Sequence, residues 1–262
     1  MKLAISNIAW SLEKNTLVYA LMRDFGFRGL EIAPTKLFPV KPYDSIAAAR
    51  IWIEQLEREY GLMIPSMQSI WYGRKESIFG KAEERKILAD YTRKAIDFAV
   101  AIGCKNLVFG CPRNRNLPDG ADETLAVPFF RGLGEYALSQ GTVIGLEANP
   151  TIYNTNYINN TSAAFKLIRQ VDSQGFKLNL DVGTMIQNGE DVSGLAGNVF
   201  LINHVHISEP GLKPIEERPL HKELMRVLSA EDYQGFVSIE MGIMDDIVAI
   251  EEKMKYIKGI FG

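Results

Sequence analysis

The chain has 262 residues, of which 47% are hydrophobic and 23% charged, with a formal net charge of −3. That length suits one large α/β domain, and the charge balance gives no overall basic field for nucleic acid or an anionic membrane. No apolar run reaches the roughly 18 residues of a spanning helix, and MKLAISNIAW reads as a first strand rather than a leader, so a cytoplasmic protein without a membrane or nucleic-acid partner is expected.

In chain order, strand-like runs begin at Leu3 (LAISNIAW), Gly29 (GLEIAP), Met63 (MIPSMQSIW), Asn106 (NLVFGCP), Val143 (VIGLEANP), Phe176 (FKLNLDVG), Ile202 (INHVHISEP) and Phe236 (FVSIEMG). Between them lie segments such as SIAAARIWIEQLEREY and ERKILADYTRKAIDFAVAIG, whose apolar residues recur every three or four positions, as on a helix face. Gly61, Gly103 and Gly175 follow three of these helices, where a left-handed cap is expected. Strands alternating with helices eight times predict a single-domain (β/α)8 barrel over residues 1–262. Cys104 and Cys111 have no CxxC or zinc-ribbon spacing and read as packed thiols.

Four of the runs finish on a potential metal ligand: Glu147, Asp181, His206 and Glu240. These fall roughly 25 to 35 residues apart, about one strand-helix unit. A barrel strand sends alternate residues inward. Leu178, Leu180 and Val182 share one parity and Lys177, Asn179 and Asp181 the other; Val205 and Ile207 oppose His204 and His206; Val237 and Ile239 oppose Ser238 and Glu240; Ile144 and Leu146 oppose Gly145 and Glu147. All four candidates thus take the polar, inward parity at the end where barrel strands converge. Three carboxylates and an imidazole suit Mn2+, Mg2+ or Co2+. Such an ion acts as a Lewis acid on a carbonyl and stabilises the enediolate formed when a carboxylate removes the neighbouring proton. Glu147 and Glu240 on opposite sides of substrate suit epimerisation; either alone suits isomerisation or dehydration.

The ordered ligands, with SNIAW, EIAPTK, SMQSIW, HISEP and SIEM, resemble the xylose isomerase-like TIM-barrel superfamily of sugar-phosphate isomerases and epimerases along essentially the whole chain. That superfamily includes ketose 3-epimerases, inosose dehydratases and, more distantly, endonuclease IV. The resemblance implies metal ligation by Glu147, Asp181, His206 and Glu240, proton transfer by Glu147 and Glu240, and a sugar or sugar-phosphate substrate. Mn2+ is the first expectation for the metal, with Mg2+, Co2+ or Zn2+ as others, and a homodimer is a further one. Family epimerases and dehydratases often have a histidine contacting a substrate oxygen where this chain has Thr184, whose hydroxyl is expected to hydrogen-bond substrate but carries no charge; the epimerases often have an arginine where it has Leu212 followed by Lys213.

Other residues carry two readings each. Glu31 has inward parity and either orients a substrate hydroxyl or forms a structural ion pair. Asn7 and Gln68 near strand ends suit sugar hydroxyls or loop capping. Trp10 and Trp71 offer rings for a sugar's C–H face or for packing. Asn149 and Tyr153 belong to a polar loop beside Glu147 that reaches substrate or closes on itself. Glu209 contacts substrate or holds His206, and Lys213 and His221 are anion contacts or, respectively, a solvated lysine and a helix-start residue. His204, one layer below His206, reads as a core histidine. Beside the isomerase or epimerase reading stand a hydro-lyase of the inosose dehydratase type on the same metal and an inactive barrel serving as a binding protein. Three histidines in all and no basic surplus argue against a multi-metal nuclease.

Overall fold

Aliphatic and aromatic runs bounded by Gly, Pro and Asn form short strands: β1 Lys2–Ser6, β2 Gly29–Glu31, β3 Leu107–Phe109, β4 Ile144–Leu146, β5 Phe176–Asp181, β6 Ile202–Ile207 and β7 Phe236–Ile239. The computed structural model describes all residues, Met1–Gly262. The strands form one sheet in the order β2-β1-β7-β6-β5-β4-β3, every pairing parallel. Residues 63–67 close the ring between β2 and β3. Isolated bridges join Met63 to Gly29 and Met67 to both Ile32 and Leu107, with Leu30 N–H donating to Met63 O at 2.9 Å and Val108 N–H to Met67 O at 2.8 Å. Pro65 has no N–H to give a ladder, which explains why this eighth stave makes only bridges. The expected (β/α)8 barrel is the observed fold.

The helices are α1 Asn15–Phe25, α2 Pro34–Leu37, α3 Ile46–Tyr60, α4 Ala82–Ala101, α5 Ala126–Ser139, α6 Thr161–Val171, α7 Val182–Asn188, α8 Pro219–Ala230 and α9 Ile247–Phe261. None is long and apolar enough to cross a membrane. In α4 the buried residues Leu88, Thr92, Ala95, Ile96 and Ala99 lie on one stripe, and Glu84 accepts the Lys81 N–H at 3.0 Å to cap the first turn. Outward-facing strand residues such as Ile5, Leu30, Leu107, Leu178, Val205 and Ile239 are buried under the helices, each contributing about 1.5–3 kcal/mol. Phe130 of α5 stacks on Phe176 of β5 with centroids 4.9 Å apart. The main apolar core therefore lies between strands and helices.

The barrel interior is polar. Ser6, Glu31, Ser66, Gln68, Asn106, Asn179, His204 and Ser238 are all buried. An unpaired buried polar group costs about 1–3 kcal/mol, and most of these groups pair across the barrel, Ser238 Oγ being an exception. Gln68 Nε2–H donates to Ser6 Oγ at 2.8 Å, and the Asn106 amide donates to Ser66 Oγ at 3.0 Å and Asn179 Oδ1 at 3.2 Å. A Cβ on Gly145 would stand 2.6 Å from Asn106 Oδ1; glycine leaves the space that this amide pair fills.

Gly61 and Gly103 have φ of 67° and 73°, as expected of helix caps. Gly175 does not. The left-handed residue ending α6 is Asp172, with φ 50°, whose short polar side chain tolerates that region. Gly175 is needed because a Cβ there would lie 2.0 Å from the Gly134 carbonyl oxygen, where α5 presses on the start of β5. Both cysteines are free thiols.

Candidate metal centre and its cleft

Parallel strands bring their carboxyl ends to one mouth. Glu147 directly follows β4, Asp181 ends β5, His206 lies one residue before the end of β6, and Glu240 directly follows β7. His206 is fully buried. Its Nδ1 stands 3.1 Å from Glu147 Oε2 and 3.1 Å from Glu240 Oε2, and its Nε2 lies 2.9 Å from Glu31 Oε2. With Nε2 held by Glu31, Nδ1 faces the two glutamates and makes no well-directed hydrogen bond, so an ion in that space would take the place of the Nδ1 proton. A histidine fixed by a carboxylate on one nitrogen with the other left bare is the usual arrangement for metal ligation.

Electrostatics point the same way. Burial raises Glu240 to about 7, with Glu147 and Asp181 adding to the rise. Burial and the Glu147 charge also raise Asp181. Burial works against a charged His206, yet Glu240 and Glu31 hold it well above the ordinary imidazole value. Burial would raise Glu31 too, but His206 and His204 hold it well below the usual carboxylate range. The cluster favours positive charge at its centre. Neighbouring donors around an ion with ~2.1 Å bonds stand ~3 Å apart, which matches the 3.1 Å separations. The residues fit a divalent cation.

Asp181 is placed differently from the other three. Its Oδ2 accepts the Thr184 N–H at 2.8 Å and its Oδ1 accepts the Ser208 hydroxyl, so the carboxylate caps α7 and lines the cleft beside the cluster. The Thr184 hydroxyl is buried within 2.7 Å of Asp181 Oδ2 and 2.8 Å of Ala148 O; its polar atom is engaged there rather than in the cleft.

The cleft above the cluster has a volume of about 210 Å3 and is lined by Glu147, Asp181 and Glu240 together with Asn149, Tyr153 and Glu209. Asn149 Nδ2–H donates to Glu147 Oε1 at 2.8 Å. The Tyr153 hydroxyl accepts the Gly211 N–H at 3.0 Å. Glu209 is tied to Arg218 by two bonds of 2.8 and 2.6 Å and does not approach His206 as a partner.

The remaining candidates are set apart. Glu31 is fully buried beneath the cluster, 3.1 Å from His204 Nε2, with Gln68 donating to its Oε1 at 3.2 Å. It supports the imidazole rather than facing the cleft. Asn7 Oδ1 accepts the Ala33 N–H at 2.9 Å. The Trp71 indole donates to Thr92 Oγ1 at 2.8 Å and its ring meets Phe109 edge-on at 4.6 Å; Trp10 donates to Asn15 Oδ1 at 2.8 Å. Both tryptophans are packing residues. Lys213 is exposed and outside the cleft lining. His221 is buried on α8 with Nδ1 2.9 Å from the Tyr256 hydroxyl.

Sequence reasoning missed Arg115, Asn179 and Ser208. Arg115 is fully buried and donates to the Glu147 carbonyl and to Asn149 Oδ1, each at 2.7 Å. Nothing in RNR distinguishes it from Arg113, which is exposed. Asn179 donates to Glu147 Oε2 at 3.2 Å. Ser208 shares the parity of His204 and His206, a signal that was available.

A closed α/β barrel with an acidic, histidine-bearing mouth is the class that fold and site define. The profile of the family described as "Xylose isomerase-like TIM barrel" matches residues 19–260, and the chain belongs to that family. None of the curated proteins matches the sequence. Among solved structures, 3-keto-D-glucoside 4-epimerase from E. coli is similar at 22% identity and TM-score 0.75, covering 97% of each chain. D-psicose 3-epimerase from Clostridium cellulolyticum H10 is similar at 15% identity and TM-score 0.75, covering 100% of this chain and 99% of that one. An L-ribulose 3-epimerase is similar at 17% identity and TM-score 0.72, covering 98% and 91%. At these identities the likeness is one of fold.

Proposed function

We propose that this chain is a divalent-metal-dependent isomerase or epimerase of a sugar or sugar phosphate, acting by proton abstraction beside a carbonyl. The observation that carries this reading is the bare Nδ1 of His206 between Glu147 and Glu240, with Nε2 held by Glu31. The sugar epimerases of the same fold support the substrate class.

Glu147, His206 and Glu240 would hold the ion, with Asp181 beside them, and Mn2+ suits this mix of carboxylates and imidazole. Such an ion polarises a carbonyl and steadies charge developing on its oxygen. The protein side chains do the rest. Glu147 is pinned by two amides, from Asn149 and Asn179. Glu240 has no amide partner, so of the two glutamates it is the freer to exchange a proton with substrate. Glu240 removes the proton from the carbon next to the carbonyl. In an epimerase, Glu147 would deliver to the opposite face a proton taken from solvent, and both glutamates would re-equilibrate with water before the next turnover. Asn149 and Tyr153 line the cleft where substrate hydroxyls would sit.

The test is solvent deuterium incorporation into a panel of ketoses, aldoses and their phosphates, with Mn2+ present and then chelated. Metal-dependent exchange beside a carbonyl is expected. Mn2+-loaded protein that exchanges no proton in any member of the panel would sink the reading, and loss of water from product, seen by mass, would convert it to a hydro-lyase.

A further inference from the structure

A second cleft opens beside the first, with a volume of about 730 Å3, and Ser69 lines both. The two differ sharply in charge. The inner cleft is lined by Glu147, Asp181, Glu209 and Glu240 and by no lysine or arginine. The outer one is lined by Lys36, Lys41 and Arg74 and by no carboxylate. The Lys36 ammonium donates to the Asn7 carbonyl at 2.6 Å and to that of Trp10, which fixes its position beside β1. Arg74 is paired with Glu76 and lies 4.9 Å over the Tyr91 ring, so its fork is held rigidly. Lys41 is exposed, forms no salt bridge, and stands on a left-handed backbone with φ 48°.

Size bears on where a substituent would go. The inner cleft, at about 210 Å3, is below the roughly 300–1,000 Å3 of drug-sized ligand pockets, so a group carried on a sugar seated there reaches the mouth. Past Ser69 it meets the basic cleft. Resting on the metal-dependent reading above, we infer that the substrate is an acyclic or ring sugar carrying an anionic substituent, a phosphate ester or a carboxylate, at the end remote from the reacting carbonyl. Lys36 and Lys41 bind that anion, and Arg74 frames it. The vicinal oxygens of the other end occupy the acidic cleft. The sign change across Ser69 fixes the direction in which the substrate lies, because reversal would set the anion against four carboxylates.

Titration calorimetry of the Mn2+-loaded protein with D-fructose, D-fructose 6-phosphate and D-glucuronate tests this, in wild type, Lys41→Glu and Lys41→Asn. Asparagine tolerates positive φ, so the second variant separates charge from backbone strain. The ester is expected to bind at least about tenfold more tightly than the free sugar, the scale of one or two charge-assisted hydrogen bonds. Lys41→Glu should erase that advantage, Lys41→Asn should reduce it, and neither should change Mn2+ affinity. A preference for the uronate equal to that for the ester assigns a carboxylate as an accepted anion. Ester and uronate binding no better than D-fructose, or an advantage untouched by Lys41→Glu, overturns the inference. Mn2+ uptake measured separately keeps the two readings distinguishable. Protein that binds Mn2+ but shows no anion preference loses only the basic subsite, whereas a Lys41-dependent preference without Mn2+ uptake keeps the subsite and removes the metal reading.

Discussion

The two halves of the barrel divide the labour. Strands β4 to β7 present Glu147, Asp181, His206 and Glu240 at their ends. The first half, from β1 through residues 63–67 to the loop after β3, supplies groups that hold those side chains. Glu31 of β2 fixes His206, Gln68 fixes Glu31, Asn106 fixes Asn179, and Arg115 fixes Asn149 and the Glu147 backbone. A cluster of acidic and imidazole side chains on one side of a barrel can thus be oriented in part by the other side, because the interior is narrow enough for staves to touch across it.

The sharpest break in the comparison comes from the presenting half. Glu240→Gln should retain the fold and lower turnover by at least about 100-fold, the lower end for loss of a general base. Near-normal turnover, measured against a substrate found by deuterium exchange, would remove Glu240 from the chemistry. The next effect comes from the supporting half. Glu31→Gln should weaken Mn2+ binding by about 10- to 100-fold, as loss of a carboxylate behind a ligating histidine does. An unchanged Mn2+ titration would reduce the first half to scaffold.

A third measurement tests a histidine of the presenting half that lies on α8, away from the cleft. Burial holds His221 down to about 4, below the ordinary 6.5, so between these values the unfolded chain binds the proton and the folded chain does not. Stability is therefore complete above about 6.5 and falls as pH drops toward 4, by about 2 kcal/mol at pH 5 for this one group. Denaturant unfolding of wild type and His221→Gln at pH 7 and 5 should differ by that increment; identical pH slopes would show that His221 is not the source. The smallest effect separates packing from recognition. Trp71→Phe should cost about 1 kcal/mol through the lost bond to Thr92 and leave KM unchanged, whereas a raised KM at normal stability would return Trp71 to the cleft.

The same division governs what the sequence reveals. The presenting half is legible because candidate ligands recur at strand ends, one per unit, on a parity set by the two-residue period of a strand. The supporting half is not, since Glu31 meets His206 across 175 positions with no spacing rule between them. Arg115 is hidden for the same reason: burial selects it over Arg113, and burial of a loop residue depends on the loop after β4 packing over it. Gly175 reads in the sequence as a left-handed helix cap, whereas its actual role, contact with the Gly134 carbonyl, arises only when α5 docks. Thr184 stands out as a departure from the family pattern, yet its engagement with Asp181 follows from where α7 begins.

The stave at residues 63–67 joins its neighbours by bridges rather than ladders, which makes it the seam of the barrel. Gln68 sits at the end of that seam and grips Glu31, so its hold on the His206 tautomer is only as firm as the weakest hydrogen-bonded join in the ring. Amide hydrogens at Met63 and Met67 should exchange with solvent faster than those of β5 and β6. By the reciprocity of linkage, a cation drawn to His206 should slow them, letting an ion at the mouth tighten a stave that it never touches.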